Sequence, residues 1–297
     1  EEHIIPLRKK SPKPLMVLSL LGAPELIQKW RDKGFLIYED ARRAIEVTAA
    51  LAKFAPIVAG SRKFPARPRV PENLKIKPGR TFNEADAMGA LQKAGIKFVR
   101  RRLATSRKAA QDAAARLGFP VVAKIASAEI LHKSEIGGVA LGLENKRTVG
   151  EAYDGLLGRA KRAAPKAALD GVLIAKQISG GVETILGVNN DPGLGPVVMF
   201  GMGGIFVEVY KDVAFRAAPF SKAEARAMIA EVAGHAVLKG VRGQAPSDLG
   251  ALVDALHNLS LFAAANKDTI ASIDINPFVV MAKGKGAIGL DALIEPK

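Results

Sequence analysis

Short apolar runs alternate with amphipathic stretches of helix length along this chain, and glycines mark many of the joints. Pro14–Leu21 is an apolar run that stops at Gly22 and predicts a buried strand. Glu25–Lys33 predicts a helix ending at Gly34, and Phe35–Tyr38 a second strand. Asp40 can cap a further helix whose apolar face includes Ala44, Ile45, Ala49 and Leu51. This is strand–helix–strand–helix, the end of an α/β layer too small to form a full sheet. The rest of that sheet is expected upstream of this chain, or its cover in the second domain.

A different pattern starts at Thr81. Asn83 can cap a helix over Glu84–Ala94, Ile96–Val99 reads as a strand, and Ser106–Leu117 as an alanine-rich helix closed by Gly118. Strands are predicted at Pro120–Ile125, Val139–Leu143, Val172–Gln177, Thr184–Val188 and Pro196–Phe200, with a helix at Thr148–Ala160. Ile205–Tyr210 and Val213–Arg216 read as a hairpin, and Ser221 can cap the helix after it. Leu249–Asn266, capped by Ser247 or Asp248, is a long helix, and strands at Thr269–Asp274, Phe278–Met281 and Ala287–Leu290 complete the chain. The fold class is therefore α/β in the broad sense, an α+β mixture with several antiparallel pairs. No short internal repeat is visible.

Between the two patterns lies Arg62–Arg80, which holds Pro65, Pro68, Pro71 and Pro78. Proline at this density removes backbone donors and fixes φ, so residues 59–80 are expected to be an extended basic strap between domains. Of the formal net charge of +15, a net +9 falls in residues 1–80. Basic charge suits nucleic acid, but no stacking aromatics interleave with it, and a solvated strap is the plainer reading. Arg100-Arg101-Arg102 with Arg107-Lys108 is a second cluster, either plain surface or a face for polyanions.

Composition narrows the chemistry. With 48% hydrophobic residues the 297-residue chain can bury a core and is not globally disordered, and its length suits about two domains. The absence of cysteine excludes a disulfide scaffold, a thiolate metal site and a cysteine nucleophile. Only His3, His132, His235 and His257 remain for imidazole chemistry. No uncharged apolar run reaches the roughly 18 residues of a membrane span. The chain opens Glu1-Glu2-His3 without a basic-then-apolar leader, so a cytoplasmic protein, and a piece of a longer chain, is expected.

Three segments carry more polar chemistry than a core needs. Lys124 sits inside the apolar strand PVVAKI, followed by HKSEIGGV from His132. A lysine there is costly unless it meets an anion, or else it points out of a half-exposed strand. The glycine pair Gly137-Gly138 frees backbone N–H groups to face phosphate oxygens, although a loop histidine by itself is more often structural. The second segment, Phe200–Glu208, is glycine-rich and is followed by Asp212 and Arg216 at near-strand spacing; a carboxylate and a guanidinium there could meet a metal and a phosphate. The third, Asp274-Ile275-Asn276-Pro277-Phe278 with Asp291 downstream, offers hard oxygen ligands suited to Mg²⁺, or simply an Asx turn at Pro277.

Taken together and in this order, GFPVVAKI, HKSEIGGVALGL, GVETILGVNNDPGLGPVVMFGMGGIFVEVYKDVAFRAAPF, IDINPFVV and GLDALIEP resemble the ATP-grasp domain of the NDP-forming acyl-CoA synthetases, the ADP-forming acetate–CoA ligase group related to succinyl-CoA synthetase. The resemblance covers residues 81–297 and implies an ATP-grasp fold of two subdomains there. Residues 1–58 resemble the C-terminal part of the flavodoxin-like ligase domain that precedes ATP-grasp in fused members. The resemblance makes Lys124 the phosphate-holding lysine, places Gln177 and Ile178 at the adenine and Glu183 at the ribose, and makes Asn276 and Asp291 the Mg²⁺ ligands. Glu208 and Arg216 would add to the metal–phosphate shell, and His132 would take the phosphoryl group. It implies ATP or ADP as substrate, coenzyme A and a carboxylic acid handled by upstream domains, a homo-oligomeric full-length protein, and neither nucleic-acid nor membrane partners. No G-x-G-x-x-G follows the first strand, so this chain is expected to bind nucleotide with Mg²⁺ but not to make a thioester alone. Two rival readings are an amide-forming ATP-grasp ligase and a nucleotide-sensing ATP-grasp module of a protein acyltransferase.

Overall fold

A computed structural model describes residues 16–18, 23–38, 40–58, 66–79, 81–130, 133, 135–203, 212–241 and 245–297. The residues His132 and Glu208, to which the resemblance gives roles, and the strand expected at Ile205–Tyr210 fall outside the described residues. The chain divides into two units, 1–65 and 66–297.

The first unit is small. Strands β1 (Met16–Leu18) and β2 (Leu36–Tyr38) pair in parallel. Helix α1 (Pro24–Asp32) starts with proline in its first turn, where the missing N–H costs nothing. Ile27, Phe35 and Ile37 form its core, with Trp30 packed edge-on against Phe35 at 4.9 Å between ring centroids. Helix α2 (Ala41–Val58) follows. Its expected apolar face is not covered: Ile45 is 69% exposed, and Leu51 and Phe54 are exposed with it. Two strands offer too little sheet to bury an 18-residue helix.

The second unit has two lobes, each an antiparallel sheet backed by helices. One sheet has four strands in the order β3 (Arg101–Ala104), β6 (Gly171–Lys176), β4 (Val121–Ala126), β5 (Val139–Leu143). Helices α4 (Arg107–Leu117) and α5 (Lys146–Ala163) pack on it. Along β4 the side chains alternate, so Val121, Ala123 and Ile125 enter that core and Lys124 faces the other way. Ser106 and Asn145 cap the two helices by accepting backbone N–H groups.

The other sheet has the order β11 (Ala287–Gly289), β10 (Ile270–Val280), β7 (Val182–Asp191), β8 (Gly195–Met202), β9 (Val213–Ala217), with β12 (Leu293–Pro296) also on β10. Helices α3 (Glu84–Lys93), α6 (Lys222–Glu231) and α8 (Leu249–Ala265) bury their apolar faces against it, and α7 (His235–Leu238) is a single turn. Phe200, Phe262 and Phe278 are fully buried in this core. Each such side chain contributes about 1.5–3 kcal/mol of burial. Asn83, Ser221 and Asp248 cap their helices as the sequence suggests.

The structure departs from the sequence pattern in three places. Ile96–Val99 forms no strand; Phe98 makes a single parallel bridge to Gly289. Val99 N–H donates to Gly289, while the Arg100 carbonyl accepts from Lys176, so this segment carries the chain from one lobe to the other. The two strands expected around Asn276-Pro277 are one strand, β10, whose register slips between Ile275 and Phe278, where proline offers no N–H. The strap expected over 59–80 is not solvated throughout. Leu74 is buried, and the Asn266 amide donates to the Leu74 carbonyl at 2.9 Å and accepts from Ile76 N–H at 2.8 Å.

Candidate functional site

The ends of several elements converge between the lobes. Lys124 comes from β4, Glu84 from the first turn of α3, and Lys133 from the loop after β4. Asp274 and Asn276 alternate with buried Ile273 and Ile275 on β10 and so share its open face. Asp291 follows β11. Glu84, Lys133, Asp274, Asn276 and Asp291 line one cavity of about 280 Å³, together with Ser127.

The Lys124 ammonium uses its donors at the edge of this cavity. It reaches Glu84 Oε1 at 3.0 Å, Asp291 Oδ2 at 2.8 Å and the Leu290 carbonyl at 3.1 Å. Lys133 Nζ takes the other oxygen, Oε2, of Glu84. Burial opposes the charge on Lys124, but Glu84 and Asp291 outweigh it and hold its ammonium above the ordinary lysine range. Burial is also the largest influence on Glu84 and raises its carboxyl, against the pull of Lys124 and Lys133. Asp274 opens to solvent, yet the protein crowded around it and the Asp291 carboxylate both raise its carboxyl.

Two carboxylates on one cavity wall, with an amide oxygen beside them, make a hard-oxygen set suited to a divalent cation. The Lys124 ammonium, 2.8 Å from Asp291, already occupies a cation's place there. No group of three His, Cys, Asp or Glu that could hold a metal gathers among the described residues, so the amide of Asn276 is an essential part of this set.

A family model described as the ATP-grasp domain matches residues 75–295. The chain is 39% identical to the beta subunit of the ADP-forming acetate–CoA ligase II of Pyrococcus furiosus, over 74% of this chain and 93% of that one. This chain belongs to the ATP-grasp family of ADP-forming acetate–CoA ligases. It is also 37% identical, over 99% of its length, to an ADP-forming 4-hydroxybutyrate–CoA ligase of Nitrosopumilus maritimus, of which it spans 43%. It thus spans less than half of that longer ligase. Among solved structures, the dinucleotide-forming acetyl-coenzyme A synthetase 1 of Ca. Korarchaeum cryptofilum, in complex with coenzyme A and Ca-AMPCP, superposes with a TM-score of 0.70 at 39% identity, covering 74% of this chain and 95% of that one. A Se-Met derivative of the same synthetase, with Mg-AMPPCP and its phosphohistidine segment pointing towards the nucleotide site, gives 0.62 at 36% identity, over 72% and 92% of the two chains.

Within this ATP-grasp domain the other expected residues stand apart from the cavity. Gln177 and Ile178 follow the end of β6; the Gln177 side chain accepts from Gly142 N–H at 2.8 Å and its backbone N–H donates to Pro120. Glu183 lies exposed on β7, opposite Val279 of β10. Its carbonyl accepts from Gly203 at 2.8 Å, and a Cβ on Gly203 would meet that oxygen at 2.9 Å. The glycine-rich turn therefore approaches β7 as closely as a backbone can.

Arg216 also stands apart from the cavity. Its guanidinium is bound by Glu224 at 3.2 Å and by Glu231, both on α6, and it does not line the cavity. With its charge matched by two carboxylates, it braces α6 against β9.

Glu84, Lys133 and Asp274 carry no assigned role in the sequence reading. Asp274 had a signal in its alternation with Asn276. Glu84 had none, because an acid in the first turn of a capped helix is ordinary. No helix among the described residues is long and apolar enough to cross a membrane.

Proposed function

We propose that this chain is the nucleotide-handling part of an ADP-forming acyl-CoA synthetase, binding ATP or ADP with Mg²⁺ in the cavity between its lobes. The observation that carries this reading is the contact of Lys124 with Asp291 at the cavity edge, a cation and a metal-type carboxylate placed for phosphate oxygens. Asn276 and Asp291, with Asp274 beside them, would hold Mg²⁺. Mg²⁺ held there would supply positive charge to the phosphate oxygens.

Lys124 holds the same oxygens from the opposite lobe. Gln177 and Ile178 meet the adenine at the join between lobes, and Glu183 accepts hydrogen bonds from the ribose hydroxyls. His132 receives the phosphoryl group: an imidazole nitrogen forms a bond to the terminal phosphorus, the bridging P–O bond breaks, and its electron pair leaves on ADP. The reverse reaction forms ATP from the phosphohistidine. The longer relatives support upstream partners that exchange this phosphoryl group with an acyl phosphate and pass the acyl group to coenzyme A. The working protein is a homo-oligomer of the cytoplasm.

Incubation with [γ-³²P]ATP and Mg²⁺ tests the reading. Acid-labile, base-stable label on the chain, absent from His132→Ala, supports it. An unlabelled chain that still binds nucleotide would favour the sensing module instead.

A further inference from the structure

Glu84 is a carboxylate with both oxygens engaged and a side chain only 1% exposed. It sits at the first position of α3, in the lobe opposite the lysines it holds. One of those lysines belongs to β4, and the other, Lys133, directly follows His132 in the sequence. Asp291 differs. It shares Lys124, but its side chain is 31% exposed and lines the open cavity. Lys124 and Lys133 meet Glu84 and Asp291, and Asp274 and Glu295 also line the cavity. Carboxylates outnumber ammonium groups there, and that excess of formal negative charge favours the entry of a cation.

We infer that the two carboxylates on Lys124 divide the work: Asp291 is the partner given up to an incoming metal ion, and Glu84 is the permanent anchor that positions Lys124 and Lys133 together. Glu84 is thus a positioning residue that acts through two lysines. Because it draws Lys133 to the same carboxylate as Lys124, it ties the residue that follows His132 in the sequence to strand β4. A buried carboxylate between two ammonium groups has no solvent to take its place, so its loss loosens both side chains at once: Lys133 loses this carboxylate, and Lys124 keeps the more exposed Asp291 and the Leu290 carbonyl. The inference rests on the nucleotide reading above for its meaning, but not for its geometry.

The test is lysine acetylation by acetic anhydride, resolved by site with peptide mass spectrometry, on the folded chain without nucleotide. Glu84→Gln keeps the shape and removes the charge, and both Lys124 and Lys133 should acetylate faster by about tenfold. Asp291→Asn should leave Lys124 protected to within about twofold, because its bonds to the buried Glu84 carboxylate and to the Leu290 carbonyl persist. ADP affinity of Glu84→Gln should stay within about threefold, while phosphoryl incorporation at saturating ATP falls about tenfold, a split that a simple stability defect does not produce.

Wild-type labelling of both lysines in a folded Glu84→Gln would overturn the inference. Should that variant fail to fold, Asp291→Asn decides: protected Lys124 supports the inference and exposed Lys124 overturns it. Should the wild type bind no nucleotide, the functional reading fails, and the acetylation contrast still judges the anchor.

Discussion

Lys124 and Asp291 lie 167 residues apart in the chain and meet at 2.8 Å, joining the two lobes across the candidate site. In the proposed function this contact stands where a phosphate and its metal ion are received. Asp291 would then release Lys124 to the metal, so the proposal links cation binding to lysine release.

The linkage sets the effect of Asp291→Asn. With the carboxylate gone, Mg²⁺ should no longer strengthen ADP binding, while metal-free ADP should bind at least as well as to wild type. Thermal shift with ADP, with and without Mg²⁺, checks this. A wild-type Mg²⁺ response in the variant would remove Asp291 from the metal set.

Asp274 should behave as a strained acid. Its folded pKa is raised by crowding and by Asp291, so between the unfolded and folded values the native state binds more protons. Stability from this group therefore falls as pH rises through that interval, and at neutral pH the ionised carboxylate is a standing cost. Asp274→Asn should raise the melting temperature of the metal-free protein at pH 7, with the gain shrinking as pH falls through that interval and gone below the unfolded value. It should also reduce the stabilisation by Mg²⁺. A lower melting temperature in metal-free buffer would contradict this.

Asn266 fixes the end of the basic segment to the second unit. Its buried amide donates to Leu74 and Phe262 and accepts from Ile76. Asn266→Ala leaves these backbone groups without it and should cost about 2 kcal/mol in urea unfolding. Proteolysis between 66 and 79 should accelerate as well. An unchanged urea midpoint would mean that Leu74 packing alone holds the segment.

Arg216 separates bracing from ligand binding. Arg216→Gln breaks the contacts to Glu224 and Glu231, which are partly exposed and cost about 1 kcal/mol to lose. The nucleotide dissociation constant should stay within about twofold of wild type. A tenfold loss of nucleotide affinity with unchanged stability would return Arg216 to the phosphate shell.

The sequence makes much of this scaffold legible because local rules coincide with the global fold. Asn83, Ser106 and Ser221 each precede an amphipathic run and each caps a helix. Strand β4 is readable because its apolar run is bounded by Pro120 and interrupted by one lysine. The failures have physical causes. Ile96–Val99 is as apolar as a strand, but its backbone bonds are shared between two lobes, which no local pattern records. Strand β12 is only four residues long and ends in proline. Lys124, Asn276 and Asp291 stand out as polar groups in apolar or turn settings, whereas Glu84 and Lys133 look like ordinary surface charges. Only the fold reveals that Lys124 and Lys133 meet at Glu84, because their sequence separations of 40 and 49 residues from it give no clue.

Calorimetric titration of ADP into the wild-type chain and into Lys124→Met, each in Mg²⁺ and in EDTA, tests the central claim most directly. The account predicts that ADP binds the wild type with one site, at least about tenfold more tightly in Mg²⁺, and that Lys124→Met loses about tenfold or more of that affinity while remaining folded. Equal ADP affinity in the two proteins, or none in either, would contradict it.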